Sequence, residues 1–139
     1  ALAKALQALR PLADMRGGRL WCVFGCGGDR DRGKRAEMGR VAQSLADQVV
    51  LTSDNPRSED PLSIIRDIRR GLDGQSSVQV QVQVDRAQAI SQILSLAHTN
   101  DVVLIAGKGH ETYQEVGFER QPFSDVEQVW LARRREKVA

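Results

Sequence analysis

Short apolar runs alternate with apolar residues at helical spacing along nearly the whole chain, and this alternation constrains the fold more than any other feature. Four runs have strand-like composition: residues 19–24, 49–51, 78–84 and 102–106. Between them, apolar residues recur at the three- and four-residue intervals of an amphipathic helix. A helix between successive strands is the connection that a parallel sheet requires. The sequence therefore predicts an α/β fold with a doubly wound, mostly parallel open sheet and helices on both faces.

The connections between these segments are too short to hold a second domain. We therefore expect residues 1–139 to form a single domain of Rossmann-like topology. A first helix is predicted over residues 1–10, ending before Pro11. Because this helix has no capping residue at its start, we expect the chain to begin inside a longer protein.

The side-chain patterns of two strands predict their positions in the sheet. Valine alternates strictly with glutamine over residues 78–84, which is typical of an edge or near-edge strand with one solvated face. Residues 102–106 are continuously apolar, which is typical of a strand covered on both faces. We expect this second run to be the central strand.

Capping residues predict where three helices begin. Asp60 precedes a proline and Asp85 precedes the next apolar stripe, while Ser124 has a glutamate three residues later. Turn residues around Gly117 and Pro122 predict a short hairpin just before the last helix.

The composition excludes several classes of function. With 20 Lys and Arg against 18 Asp and Glu the net charge is only +2, and 4% of residues are aromatic, so nucleic acid is not an expected partner. No apolar run reaches the roughly 18 residues of a membrane span and no signal sequence is present, so we expect a cytoplasmic protein without membrane contact. Cys22 and Cys26 lack a second Cys/His cluster, which predicts free thiols and no metal site.

Three polar loops follow predicted strands: Gly25–Arg35, Ser53–Asp60 and Gly107–Gln114. Right-handed crossovers bring the loops that follow parallel strands to one edge of the sheet, and open α/β folds bind their ligands there. We expect the three loops to meet at that edge.

The first loop matches the Gly-x-x-x-x-Gly-Lys pattern of phosphate-binding loops, but Arg35 stands where Ser or Thr would hold Mg²⁺. An autonomous nucleotide site is therefore not expected. The amides that start the next helix, together with Arg30, Arg32 and Lys34, are suited to an anion. A solvated glycine turn remains the alternative.

The other two loops place groups of opposite charge close together in the sequence. Asp54, Asn55 and Arg57 fall within four residues, with Pro56 restricting the backbone. Gly107–Glu111 adds a lysine, a histidine and a glutamate to two glycines. Such a set suits a zwitterion with carboxylate and ammonium groups, although an Asx turn explains part of the second loop. Neither a nucleophile with a general base nor a metal cluster occurs.

The loops and one helix start carry motifs in a characteristic order: Gly27-Gly28-Asp29-Arg30-Asp31 with Gly33-Lys34-Arg35, Asp54-Asn55-Pro56-Arg57, Asp85-Arg86, and Gly107-Lys108-Gly109-His110-Glu111 with Tyr113-Gln114. Over nearly its whole length the chain resembles the C-terminal domain of Mur ligases. The match is with those that add meso-diaminopimelate to UDP-N-acetylmuramoyl-L-alanyl-D-glutamate in peptidoglycan synthesis. The Asp-Asn-Pro-Arg element is the most specific part, since lysine-adding relatives depart from it at the arginine.

The resemblance implies roles for particular residues. Those expected to bind the added amino acid are Arg30, Asp54, Asn55, Pro56, Arg57, Gly107 and Glu111. Lys34 is expected to reach toward nucleotide phosphates when the domains close. No catalytic residue is expected in this chain, and His110 has no assigned role.

The resemblance also implies cofactors and partners. ATP and Mg²⁺ would serve the full enzyme and would be held mainly by its central domain, while an N-terminal domain holds the UDP-sugar. In such enzymes ATP phosphorylates the glutamate carboxyl and the amine of diaminopimelate attacks the acyl phosphate. The domain described by this chain would select and orient that amine, require no cofactor of its own, and be inactive alone.

Other interpretations remain open from the residues alone. The chain could be the equivalent domain of a lysine-adding ligase, against which Arg57 argues. A stand-alone α/β module for an anionic metabolite, or a domain that only docks a partner, would share the fold. The docking interpretation leaves three polar loops at one edge unexplained.

Overall fold

A computed structural model describes residues 2–138, with side chains through residue 134. The helices are α1 (Leu2–Arg16), α2 (Gly33–Leu45), α3 (Pro61–Arg69), α4 (Arg86–Leu96) and α5 (Asp125–Val138). The strands are β1 (Leu20–Phe24), β2 (Gln48–Leu51), β3 (Gln79–Val82), β4 (Val102–Ile105), β5 (Tyr113–Val116) and β6 (Glu119–Pro122).

The first four strands form one parallel sheet in the order β3-β2-β1-β4, which confirms the predicted fold class. Side chains from alternate positions of β1 point to opposite faces. Cys22 packs in a core with residues of α1, α2 and α3, whereas Val23 packs in a second core with residues of α4. Helix α5 packs against α4. Helices therefore cover both faces of the sheet.

The expectation that 102–106 forms the central strand is wrong. β1 is paired on both sides and is buried at every position, whereas β4 is paired only with β1 and lies at an edge of the sheet. A continuous apolar run reports that both faces of a strand are covered, and helices cover both faces of β4. The run carries no information on the number of neighbouring strands.

The edge position predicted for the Val/Gln strand is confirmed, since β3 is paired only with β2. Val78 and Val80 pack against the core, whereas Gln79 and Gln81 are exposed. The hairpin predicted before the last helix is formed by β5 and β6.

Helix α1 does not end before Pro11, as the sequence predicts, but continues to Arg16. Proline removes one backbone donor, and the carbonyl that loses its bond belongs to Gln7, which is exposed and can bind water. Burial of Leu6 and Ala13 against the sheet on either side of Pro11 favours continuation of the helix.

The three predicted caps are confirmed. Asp60 accepts a hydrogen bond from the amide of Leu62 at 3.0 Å, and Asp85 accepts one from Gln88 at 3.0 Å. Ser124 accepts one from Glu127 at 3.3 Å. Within residues 2–138, no helix combines the length and apolarity needed to span a bilayer.

The strand order reverses between β1 and β4, because the chain moves outward from β1 to β2 and β3 and then crosses to the opposite side. Loops that leave adjacent strands in opposite directions open a crevice at the carboxyl ends of the strands. The first and third polar loops leave from this point.

Candidate functional site

The structure brings the three polar loops together at the carboxyl edge of the sheet. The amide of Gly28 donates to the carbonyl of Asn55 at 2.7 Å, which joins the first loop to the second. The Asn55 side chain donates from Nδ2 to Glu111 Oε1 at 3.2 Å, which joins the second loop to the third. Arg57 and Glu111 therefore lie on the same side of the fold.

Close approach between the first two loops depends on a glycine. A Cβ atom at Gly28 would lie 1.8 Å from the carbonyl oxygen of Pro56, a distance that no side chain tolerates. Asp29 follows with a left-handed backbone (φ 56°), and its amide donates to Glu59 Oε2 at 2.6 Å. The first loop is thus fixed by its backbone contacts to the second.

Asn55 is almost fully buried at the centre of the site. Its Oδ1 accepts from Lys108 Nζ at 2.7 Å and from the amide of Glu115 at 2.9 Å. Its Nδ2 faces Glu111. Every heavy atom of this amide that can form a hydrogen bond therefore has at least one partner.

Asp54 and Lys108 form the charged core of the site. The Lys108 ammonium is fully buried, lies 3.1 Å from Asp54 Oδ1 and 3.6 Å from Glu111 Oε1, and donates to the carbonyl of Tyr113 at 3.2 Å. Asp54 Oδ1 accepts no hydrogen bond among the described residues, because Lys108 is near enough but poorly aligned. The contact between them is an ion pair with spare acceptor capacity on the carboxylate.

Gly107 brings the third loop close to Asp54. It has a positive φ of 110°, and a Cβ there would lie 3.1 Å from Asp54 Oδ2. A side chain at this position would be strained and would crowd the carboxylate, so glycine is the residue that fits.

Arg57 is held in a left-handed conformation (φ 51°) by the β5–β6 hairpin. Its amide donates to the carbonyl of Glu115 at 3.0 Å and its carbonyl accepts from the amide of Gly117 at 2.8 Å. Its guanidinium donates from Nε to Glu115 Oε2 at 2.6 Å and from Nη1 to the carbonyl of Gly28 at 2.9 Å. The third nitrogen, Nη2, has no partner among the described residues.

Glu115 is the carboxylate that orients Arg57. Burial opposes its ionisation, but the hydrogen bond and charge of Arg57, with a smaller contribution from Arg120, outweigh burial and lower the pKa of Glu115. Glu115 therefore remains charged at neutral pH and holds one edge of the guanidinium, while the end that carries Nη2 remains available.

Two cations predicted to act in the first loop lie outside this hydrogen-bonded cluster. The side chains of Arg30 and Lys34 are both exposed and make no hydrogen bond or ion pair with any described residue. Lys34 lies in the first turn of α2 and lines a groove between α1 and α2 with Leu2 and Met38. His110 is likewise exposed and without a hydrogen-bonding partner in the part of the chain that the structure describes.

Arg35 has a role that the sequence did not predict. It is almost fully buried, bonds both carboxylate oxygens of Glu59 at 2.8 and 3.1 Å, and also bonds Asp67 at 3.0 Å and the carbonyl of Gly27 at 3.0 Å. The hydrogen bond from Arg35 is the main cause that lowers the pKa of Glu59 to about 2. The sequence signal for this role was the occurrence of Arg35 where a phosphate-binding loop has Ser or Thr. An arginine that does not serve a nucleotide there needs acceptors from the protein itself.

Arg86 is a second buried cation whose position the sequence did not predict. It binds Asp125 through two hydrogen bonds of 2.8 Å and donates to the carbonyls of Ser53 and Ala106 at 3.0 Å each. These two carbonyls lie just after the ends of β2 and β4. No spacing rule connects Arg86 with a residue 39 positions away, so the sequence held no signal for this pair.

Cys22 and Cys26 are free thiols, and burial raises the pKa of Cys22 to about 12 and that of Cys26 to about 11. Among residues 2–134, no group of three or more His, Cys, Asp or Glu side chains is arranged to hold a metal. The cluster also lacks a nucleophile paired with a base. Its donors and acceptors are suited to binding and orienting a zwitterion.

Residues 1–109 match the family model described as "Mur ligase, glutamate ligase domain". The chain is 62% identical over 126 residues to the UDP-N-acetylmuramoyl-L-alanyl-D-glutamate--2,6-diaminopimelate ligase of Acidovorax sp. (strain JS42), covering 91% of this chain and 25% of the relative. It is 56% identical over 129 residues to the ligase of the same name from Coxiella burnetii (strain RSA 493 / Nine Mile phase I), covering 93% and 25%. A solved structure with that ligase name superimposes with a TM-score of 0.88 at 43% identity, covering 98% of this chain and 27% of the other. The chain thus spans about a quarter of the length of the curated relatives it matches.

Proposed function

Since the chain belongs to the family of Mur ligase C-terminal domains, as its loop motifs indicated, we propose that it is the amino-acid-binding domain of an ATP-dependent amide ligase of peptidoglycan synthesis. The amino acid is meso-diaminopimelate, and the acceptor is UDP-N-acetylmuramoyl-L-alanyl-D-glutamate. The domain would work in the cytoplasm, where ATP is available, beside central and N-terminal domains of the same protein.

The observation that carries the proposal is the packing of the Asp54–Arg57 loop against the Gly107–Glu111 loop at the point where the strand order reverses. The hydrogen bond from Asn55 to Glu111 joins the two loops at the centre of the contact. Pro56 restricts the backbone of the second loop, and its carbonyl is the atom against which Gly28 packs. Donors and acceptors that suit both ends of an amino acid lie within this one cluster.

The carboxylates of the ligand would be bound by Arg57, Asn55 and Arg30. Arg57 offers Nη2, which has no partner among the described residues, beside an Nη1 that already donates to Gly28. Arg30 is an exposed cation on the adjoining loop, 27 positions before Arg57 in the chain. Diaminopimelate has a second carboxylate that lysine lacks, and a planar guanidinium binds such a group with defined orientation.

An ammonium of the ligand would be bound by Glu111, Asp54 and the carbonyl of Gly107. Glu111 is half-buried and receives only one hydrogen bond, from Asn55, in the structure described. Asp54 Oδ1 accepts no hydrogen bond among the described residues, and Asp54 Oδ2 faces Gly107. Carboxylate and carbonyl oxygens are the acceptors that an ammonium requires.

The residues of this chain do not fit a magnesium site. Arg35 occupies the position of the hydroxyl that would hold Mg²⁺, and its guanidinium binds Glu59 and Asp67. We therefore assign ATP and Mg²⁺ to the other domains of the enzyme. The contribution of this chain to nucleotide binding would be limited to the exposed Lys34.

The contribution to catalysis is positioning. An amine held near the activated glutamate carboxyl reacts as if within one molecule, and this lowers the entropic part of the barrier. The loops of this domain supply the groups that fix both ends of the amino acid and leave the reacting amine free.

The proposal is tested with the full-length enzyme that carries this chain. Phosphate release is measured with ATP and the UDP-linked dipeptide, with either meso-diaminopimelate or L-lysine as amine donor. We expect kcat/KM for meso-diaminopimelate to exceed that for lysine by about 100-fold or more, because lysine lacks the carboxylate proposed to bind the partly exposed Arg57. Equal use of both amino acids would contradict the assigned selectivity, and no release with either would contradict the ligase function.

A further inference from the structure

Lys108 is a buried cation at the centre of the proposed site, and it is not among the residues proposed to contact the amino acid. Its side chain is fully shielded from solvent although it lies in a surface loop. Both neighbours, Gly107 and Gly109, have positive φ angles of 110° and 51°. Glycine adopts these angles at little cost, so the flanking glycines allow the loop to turn Lys108 inward.

The ammonium of Lys108 determines which way the Asn55 amide faces. Asn55 Oδ1 accepts from Lys108 Nζ at 2.7 Å and from the amide of Glu115 at 2.9 Å. An ammonium and a backbone N–H are donors with no acceptor capacity, so neither tolerates the NH₂ end of the side chain. The rotated amide would place two donors against two donors.

The opposite end of the amide therefore faces the site with donors only. Nδ2 carries two hydrogens, and one of them is directed at Glu111 Oε1 at 3.2 Å. The other is available for a ligand. Asn55 held in this way binds a carboxylate and rejects an ammonium.

We infer that Lys108 is a positioning residue: it fixes the polarity of Asn55, so that the amide presents N–H to a carboxylate of the amino acid. Its ammonium also lies 3.1 Å from Asp54 Oδ1 and 3.6 Å from Glu111 Oε1, so its charge offsets the repulsion between these two carboxylates. The inference rests on the proposed function, because it concerns the same amino-acid site.

A purely structural role for Lys108 makes a different prediction from a positioning role. If Lys108 only stabilised the loops, replacing it would raise KM for diaminopimelate by the same factor whether or not the Asn55 amide is present. If Lys108 acts through the polarity of Asn55, replacing it should have little further effect once that amide has been removed. Replacing Lys108 in the wild-type enzyme and in an Asn55→Ala background separates the two.

The first experiment uses Asn55→Asp in the full-length enzyme. Aspartate keeps an oxygen for Lys108 and for the Glu115 amide, but its second oxygen faces Glu111 Oε1, so we expect the thermal midpoint to fall. Its second oxygen replaces the outward N–H, so we expect the KM for meso-diaminopimelate to rise about 20-fold or more while the KM values for ATP and the UDP-linked dipeptide stay within about twofold. An unchanged KM for diaminopimelate would overturn the inference.

The second experiment uses Lys108→Met, with Lys4→Met as the matched control because Lys4 is exposed on α1. Methionine keeps the length of the side chain and removes the ammonium, so only the Glu115 amide still donates to Asn55 Oδ1 and the orientation of the amide is held less firmly. We expect KM for diaminopimelate to rise about tenfold and kcat to fall by less than about threefold. A fall in kcat with unchanged KM would contradict a positioning role.

The two proposals fail in distinguishable ways. If the wild-type enzyme used lysine as well as diaminopimelate, the assigned selectivity would be wrong, and the variants would be measured with both amino acids. A rise in the KM for each amino acid would still support Lys108 as the positioning residue. In the Asn55→Ala enzyme, Lys108→Met should raise KM by less than about twofold further, and an equal rise in both backgrounds would contradict the inference. If Lys108→Met did not fold, Lys108→Leu would replace it in both backgrounds.

Discussion

At the scale of single residues, the buried cations are paired with carboxylates and backbone carbonyls, whereas two of the more exposed cations are proposed to bind the ligand. Arg35, Arg86 and Lys108 are each almost fully buried, and each binds at least one carboxylate together with a loop carbonyl. A buried charge is tolerated only when it is paired and hydrogen-bonded, and these contacts meet that condition. Arg30 is exposed and Arg57 is partly exposed, and both keep unused donors.

The first prediction concerns Arg57. Replacement by alanine removes the guanidinium proposed to bind the carboxylate that distinguishes diaminopimelate from lysine. In the full-length enzyme we expect Arg57→Ala to raise the KM for meso-diaminopimelate by tens-fold, with a far smaller effect on lysine, since lysine lacks the bonded group. Arg57→Lys should recover only part of the affinity. Equal losses for both amino acids would show that Arg57 acts in folding or in the chemical step.

The second prediction concerns the acid stability conferred by Glu59. Arg35 lowers the pKa of Glu59 to about 2, below the ordinary value of about 4.3 in an unfolded chain. A carboxyl whose pKa is lowered by folding stabilises the native state above its unfolded pKa, and that stability is lost as the pH falls toward 2.

This acid dependence is measured by urea unfolding of the 139-residue chain between pH 7 and pH 2. Glu59→Gln should cost about 1–3 kcal/mol at pH 7, because Arg35 then loses a charged acceptor. The difference from wild type should shrink as the pH falls below about 4.5. Glu37→Gln, at an exposed position of α2, is the control and should leave the profile unchanged. A constant difference at every pH would contradict the linkage.

At the scale of elements, the β5–β6 hairpin pairs with the second polar loop at Arg57 and holds this arginine in position. A parallel bridge joins Arg57 to Val116, and the guanidinium of Arg57 binds Glu115 on the same strand. The turn residues that predict this hairpin are visible in the sequence. Its attachment to Arg57 is not visible, because the bonded residues are about 60 positions apart and follow no local pattern.

The third prediction concerns the start of α3. Asp60 accepts from the amide of Leu62 at 3.0 Å, one of the donors that the first helical turn leaves unpaired. Asp60→Ala should reduce the free energy of unfolding by about 1 kcal/mol. Asp60→Asn retains an acceptor oxygen and should cost less. Equal effects of the two substitutions would show that charge, and not the cap bond, is responsible.

At the scale of the whole molecule, one buried ion pair connects α4 and α5 to the loops at the carboxyl edge of the sheet. Arg86 in α4 binds Asp125 in α5, and the same guanidinium holds the carbonyls of Ser53 and Ala106. The pair thereby fixes α5 relative to the loops that follow β2 and β4. The packing of α5 and the positions of the two loops therefore depend on the same Arg86–Asp125 contact.

The fourth prediction tests that contact with a double-mutant cycle. Arg86→Met leaves Asp125 buried without its partner and should cost about 3–5 kcal/mol of unfolding free energy. Asp125→Leu should cost a similar amount for the converse reason. The double variant should be more stable than the sum of the two losses predicts, because no unpaired charge remains. Strict additivity would contradict a direct coupling.

Local patterns in the sequence predict some features of the whole molecule and not others. The alternation of apolar residues predicted the fold class and the edge position of β3, because burial of one face is a local requirement. The capping residues predicted three helix starts, because the unpaired donors of a first helical turn are satisfied locally. The position of β4 was predicted wrongly, since an apolar run records the covering of faces and not strand order. The partners of Arg35, Arg86 and Lys108 could not be predicted, because buried ion pairs depend on loops that meet only after the sheet has formed.

The open edge of β3 also makes self-assembly a hazard. β3 belongs to a stretch over residues 74–84 without a charged side chain, flanked by Asp73 and Asp85. Alternating valine and glutamine without proline is the composition of segments that stack into cross-β fibrils, and an edge strand offers unpaired backbone groups as a template. Heated protein is therefore expected to bind thioflavin T and to recover poorly on cooling. Gln81→Lys places a charge at an exposed position of that strand and should suppress fibril formation while leaving the unfolding midpoint nearly unchanged.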